Sequence, residues 1–197
     1  MIAHPIDLRA EVAAAAEAYR DSGNLAALLD RLAALTAGAD PEALAAAVEP
    51  YIGVAEIAGP VYERIVEARP DDARALVILA NAYWLAGRGP DQVAQLATRA
   101  IAADPTNRGA WHLWALSESD PRARTGRWQQ VVDRFPADDL ARATLADNAA
   151  SLAGAEHDRE ALALAIRTYE ELLATATRPD QRSALERAIA TLKAWRL

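Results

Sequence analysis

The chain has 197 residues, no cysteine, a single lysine (Lys193) and a formal net charge of −7, and alanine makes up about a quarter of it. Without cysteine there are no disulfides, thiolate nucleophiles or cysteine-based zinc sites. An acidic chain with one lysine also lacks the clustered cations that phosphate neutralisation requires, which argues against nucleic acid as a partner.

Alanine is the best intrinsic helix former, glycine is sparse and no run alternates like a strand, so the expected class is all-α. Charge is uneven along the chain. Residues 1–72 carry thirteen acids against five arginines, and residues 73–138 carry six acids against eight arginines. The opening Met1-Ile2-Ala3-His4-Pro5-Ile6 lacks the basic region and long apolar core of a secretory signal, so a cytoplasmic location is expected. The nearest approach to a membrane span is 43–62. It contains Glu49, Glu56, two prolines and two glycines, and each mid-bilayer acid costs about 2.5–3.5 kcal/mol on insertion scales. A buried helix pair is expected there rather than membrane insertion.

The first amphipathic run is 7–21, with Leu8, Val12, Ala15, Ala16 and Tyr19 on one face. Ser22-Gly23-Asn24 ends it, and 25–36 follows with a stripe of Leu25, Leu28, Leu29, Leu32 and Leu35. Asp40-Pro41 reads as N-cap and first helical residue. Pro50 predicts a bent or split helix over 41–58, and Gly59-Pro60 reads as a stop followed by a new helix over 60–69. Helices over 73–86 and 90–103 are separated by Gly87 through Pro90. A pair over 108–118 and 121–134 is divided by Ser119-Asp120-Pro121. The last pair, 139–153 and 159–175, is joined by an enlarged loop around Glu156-His157-Asp158. The run 180–195, with Leu185, Ala188, Ile189, Leu192 and Trp195 on one side, predicts a capping helix.

Tyr62 with Pro70, Ala97 with Pro105, and Trp128 with Pro136 each place a packing residue eight positions before a proline, and the offset recurs every 31 to 35 residues. Periodicity of this kind marks helix-pair repeats that bury their apolar faces only against neighbours. Small residues at Ala16, Ala80, Ala115 and Ala146 allow close helix approach, with Tyr19, Tyr62, Tyr83, Trp111 and Trp128 filling the spaces between. At Trp111-x2-Trp114-Ala115, Ala58-x3-Tyr62 with Pro70, and Leu76-x2-Leu79-Ala80-x2-Tyr83, the chain resembles tetratricopeptide repeats. The resemblance implies an α-solenoid of antiparallel helix pairs in a right-handed superhelix. About five degenerate repeats are expected (7–38, 39–70, 71–105, 106–136 and 137–178), with a capping helix over 180–196 in a single domain.

The resemblance also implies that the first helix of each pair lines a concave face. Carried over position by position, that face presents Arg74, Val77, Asn81, Trp84, His112, Leu116, Ala143, Asp147 and Ser151. The basic set that grips a C-terminal carboxylate in some such proteins is not matched, since only Asn81 falls on one of its points. Trp84 directly follows Tyr83 and so lies about 100° round the helix from it. An aromatic there either anchors a bound segment, with Asn81, Arg74, His112, Leu116 and Asp147 around it, or packs on the Gly87–Pro90 loop.

No catalytic, metal or cofactor constellation is apparent. His4, His112 and His157 have no metal spacing, and Gly87-Arg88-Gly89-Pro90 lacks the Lys-Ser/Thr of a phosphate loop. The function expected is therefore a non-enzymatic adaptor holding a peptide or helix of a protein partner. The alternative is a structural subunit or assembly factor that packs through its sides and ends in a larger complex or homodimer, a reading that the alanine-rich, apolar stretch 43–62 motivates.

Overall fold

The computed structural model describes residues 7–196; Met1–Ile6, including His4, and Leu197 lie outside the described residues. Eleven α-helices and no strand occur among them: α1 (Leu8–Ser22), α2 (Leu25–Thr36), α3 (Pro41–Val48), α4 (Ala55–Ala68), α5 (Ala73–Leu85), α6 (Pro90–Ala103), α7 (Arg108–Leu116), α8 (Pro121–Arg134), α9 (Asp139–Glu156), α10 (Arg159–Thr175) and α11 (Pro179–Lys193). The chain divides into two compact units, Met1–Leu113 and Trp114–Leu197.

Side-chain caps set many of the starts. Asp7, Asn24, Asp40, Asp72, Asp120, Asp138 and Asp158 each accept from an amide in the first turn of the helix that follows, satisfying donors that the helix itself cannot. Proline stands in the first turn of α3, α6, α8 and α11, where its missing N–H costs nothing.

In the N-terminal unit, α1 packs on α2 and α3, α3 and α2 on α4, α4 on α5, and α5 on α6. Tyr62, Leu32, Ile57, Ile65 and Leu76 are its largest fully buried side chains. The split expected within 41–58 is present: α3 passes into a 3-10 turn at Glu49–Tyr51, and the chain restarts at Ala55. The break expected at Gly59-Pro60 is not, because both residues lie inside α4. An interior proline costs about 3 kcal/mol. Ile57, Ala58, Val61, Tyr62 and Ile65 are buried on either side of it, and their packing overrides the local preference. Within 43–62, Leu44, Ala47, Val48, Ile57, Ala58 and Val61 face the interior, whereas Ala43, Ala46 and Pro50 are exposed and Tyr51, Ile52, Val54, Ala55 and Pro60 are half-buried.

Of the aromatics expected in the core, Tyr62 and Trp128 are buried, while Tyr19, Tyr83 and Trp111 are half-buried. Tyr83 ties α5 to α4: its hydroxyl donates to Glu63 Oε1 at 2.8 Å, and the Arg88 guanidinium lies 5.0 Å from its ring centroid.

In the C-terminal unit, α9 packs against α8 and α10, and α11 against α10. α7 stops at Leu116, two residues earlier than expected. α9 runs on to Glu156, so the expected enlarged loop is a tight turn. His157 caps α9 at φ 54, and Asp158 at once caps α10. Arg127 of α8 stacks over Trp114, 4.6 Å from the ring centroid, and pairs with Glu118 at 2.6 Å. The capping helix is present. Beyond its end Trp195 folds back on α9, where a Cβ on Gly154 would meet the indole at 3.4 Å, and it covers Leu152, Ala153 and Ala161.

A Cβ added at Gly59 would meet Ala82 Cβ at 3.9 Å, an ordinary contact. Gly59→Ala should therefore stabilise the protein by about 0.5–1 kcal/mol in urea unfolding, through lower backbone entropy in the unfolded chain. A loss of stability would mean that α4 and α5 approach more closely than described. Burial, and then the bond to Glu63, push the Tyr83 phenol up to about 12 from its ordinary value of 10. The folded state thus prefers the protonated phenol, and the stability this brings is full below pH 10 and is lost as pH rises from 10 towards 12. Ultraviolet titration should place Tyr83 among the late-ionising tyrosines, with the late component smaller by one tyrosine in Tyr83→Phe and its Tyr83 part shifted down in Glu63→Gln.

Candidate functional site

The groove residues expected from sequence divide between the units. Arg74, Asn81 and Trp84 on α5 and His112 on α7 belong to the N-terminal unit; Leu116 and Asp147 belong to the C-terminal unit. Along α5, Arg74, Val77, Asn81 and Trp84 recur at three- and four-residue spacing and so share one side. The opposite side carries the buried Leu79 and Ala82.

Trp84 is 40% exposed, and Leu85 beside it is 57% exposed. The Trp84 indole N–H meets no acceptor among the described residues, whereas Trp111 donates its own to the Pro105 carbonyl at 3.0 Å. Half-buried Asn81 lies one turn before Trp84. Val77, a further turn back, packs against α7, since a Cβ on Gly109 would lie 3.3 Å from Val77 Cγ1. That contact places the α7 residue His112, itself half-buried, on a helix neighbouring α5.

Arg74 is not an open cation. Its Nη2 donates to both carboxylate oxygens of Glu49 at 2.7 Å, fastening the start of α5 to the 3-10 turn after α3. This bond holds the guanidinium pKa above its ordinary value. Both partners are about half-exposed, so the pair contributes at most about 1 kcal/mol. The Tyr62 hydroxyl is buried near Arg74 without a hydrogen bond of good geometry. Burial pushes its pKa up, against the pull of the Arg74 charge.

In the C-terminal unit Leu116 is exposed at the end of α7. Asp147 is exposed too, but its Oδ1 accepts from the Tyr169 hydroxyl. That bond and the burial of the ring raise the phenol's pKa, burial being the larger cause. Asp147 is thus committed to holding α9 against α10.

No group of three or more metal-ligating side chains converges among the described residues, and none of their helices is long and apolar enough to cross a membrane. Leu25 and Leu29, which the leucine stripe of α2 placed in the core, are instead 43% and 39% exposed. Their signal in the sequence is a stripe of five leucines, of which the packing of α2 on α1 and α4 buries only Leu28 and Leu32.

No family model and no curated protein matches the sequence. Solved structures do match the fold. TTC0263, a thermophilic TPR protein of Thermus thermophilus, superposes with a TM-score of 0.56 at 16% identity, covering 95% of this chain and 100% of that one. The MamA protein superposes at 0.59 and 14% identity, covering 88% and 99%. The MamA RS-1 ArsTM double mutant superposes at 0.56 and 16% identity, covering 93% and 97%. At such identities the likeness speaks to fold alone. The helix pairs, the alanine contacts and these superpositions together place the chain in the tetratricopeptide-like class of α-solenoid folds.

Proposed function

We propose that the protein is a non-enzymatic interaction scaffold that holds a peptide or helix of a partner protein on the α5 face of its N-terminal unit. Trp84 is the apolar anchor, and Asn81 and His112 supply polar contacts. The observation that carries this reading is the exposure of Trp84 and Leu85 side by side at the end of α5. A tryptophan combines large apolar area with an N–H donor, and such residues dominate interface energies. Arg74 frames the site from its pair with Glu49. On the C-terminal unit Leu116 is a further candidate contact, whereas Asp147 serves packing through Tyr169.

The alternative is a structural subunit or assembly factor that packs through its sides and ends; within 43–62 the large side chains Leu44, Val48, Ile57 and Val61 are buried, which favours the α5 face as the contact. Affinity capture from the source organism's lysate, comparing wild type with Trp84→Ala, tests the proposal. A partner held by wild type should be lost or weakened about thirtyfold, the effect of removing about 2 kcal/mol of anchor energy, with helicity unchanged by circular dichroism. A partner retained equally by both proteins would contradict it.

A further inference from the structure

The start of α5 holds hydrogen-bond donors that nothing in the fold uses, on the same side of the helix as Trp84. Arg74 reaches Glu49 through Nη2 alone, one nitrogen serving both carboxylate oxygens, and its Nε and Nη1 meet no acceptor among the described residues. A guanidinium binds a carboxylate best through two parallel N–H···O bonds from two nitrogens, so this pair engages only part of what Arg74 offers. Beneath it, Tyr62 is 1% exposed and its hydroxyl has no hydrogen-bond partner. A buried donor left without an acceptor is costly. Arg74 and Tyr62 therefore lack the same thing, an acceptor oxygen.

The fold does not supply that oxygen. The charged groups acting on the Tyr62 hydroxyl are Arg74, Glu49 and Asp72, and Asp72 is already spent on the Ala75 amide at 3.0 Å. α5 and residues 108–113 of α7 contain no aspartate or glutamate; their charged side chains are Arg74 and Arg108. Glu49 and Arg74 are both about half-exposed, so their pairing is screened by solvent and contributes little. An incoming carboxylate can replace Glu49 at small cost, and it gains a bond to Tyr62 that Glu49 does not make.

We propose that Arg74 and Tyr62 form a seat for a side-chain carboxylate of the partner segment, which Glu49 fills from within the chain until the partner displaces it. This rests on the α5 face being the partner surface and adds the partner's chemistry. Ten residues of α5 separate Arg74 from Trp84, about 15 Å at the helical rise. The partner segment accordingly carries an acid about 15 Å from the apolar side chain that covers Trp84, a spacing of about ten residues in a helix or about four to five in an extended chain.

Fluorescence anisotropy on the full chain tests this with two labelled, alanine-based helical peptides. One carries a glutamate and a leucine ten residues apart, and its twin has glutamine in place of the glutamate. The glutamate peptide should bind at least about tenfold more tightly, the effect of a charge-assisted hydrogen bond. Arg74→Gln should abolish that preference, and Tyr62→Phe should cut it about threefold. Glu49→Gln should strengthen binding of the glutamate peptide about threefold by removing its competitor. Should Arg74→Gln disturb the start of α5 by circular dichroism, Glu49→Gln decides, because a purely structural pair gives no gain in affinity when it is broken. Equal affinities of the twins, no binding of either, or a preference that survives Arg74→Gln would overturn the proposal. Trp84→Ala separates it from the anchor reading: both twins weaken alike if Trp84 is the anchor, whereas an intact preference with both affinities unchanged refutes the anchor and leaves the carboxylate seat standing.

Discussion

The close approach of helices across alanine is the constraint on which the other features depend. Ala80, Ala115 and Ala146 are fully buried and Ala16 nearly so. A methyl group buries little apolar area, so these positions stabilise the fold by letting larger neighbours meet rather than by their own transfer energy. Leu76 and Tyr62 on the packed helices α5 and α4, and Leu145 and Trp128 on the packed helices α9 and α8, are the large side chains buried in this way. The aspartate and asparagine caps complete the arrangement by fixing where each helix begins.

A framework built this way leaves certain large side chains without a place inside. Trp84, Leu85, Leu25 and Leu29 are the clearest cases in the N-terminal unit. They fall on two sides of it, one carrying an aromatic anchor beside polar groups and the other lining an apolar furrow along α2 and α4. In the C-terminal unit Leu116 and Leu140 are likewise exposed, but the face at the end of the array is covered from within. Trp195 closes over Gly154 and the ends of α9 and α10, as the last element of a repeat array must do to keep an apolar face from water.

Much of the fold was legible in the sequence because its signals are local. Asp40-Pro41 and Asp120-Pro121 begin helices through contacts within four residues, and the angle between Trp84 and Tyr83 set Trp84 off the core stripe, though not whether it packs on the following loop. What escaped depends on distant partners. Gly59-Pro60 reads locally as a break, yet α4 continues because its residues on both sides are buried against other helices. His157 closes a tight turn in the left-handed region, a conformation that costs a non-glycine residue about 1 kcal/mol and that residue type does not announce. The exposure of Leu25 and Leu29 depends on how much of α2 its neighbours reach, which no periodicity records. Arg74 and Asp147 were placed on the right helices, but their bonds to Glu49 and Tyr169 are tertiary facts.

Urea unfolding of Ala80→Leu beside Ala13→Leu tests the governing constraint most directly. Both substitutions stay within the best helix formers, so propensity changes little. Ala13 is exposed on α1 and Ala80 is fully buried on α5. Close alanine packing predicts a loss of about 1–3 kcal/mol at position 80 from overpacking, with no comparable loss at position 13. Equal stability of the two variants would contradict it, because a contact that admits leucine is not one that requires alanine.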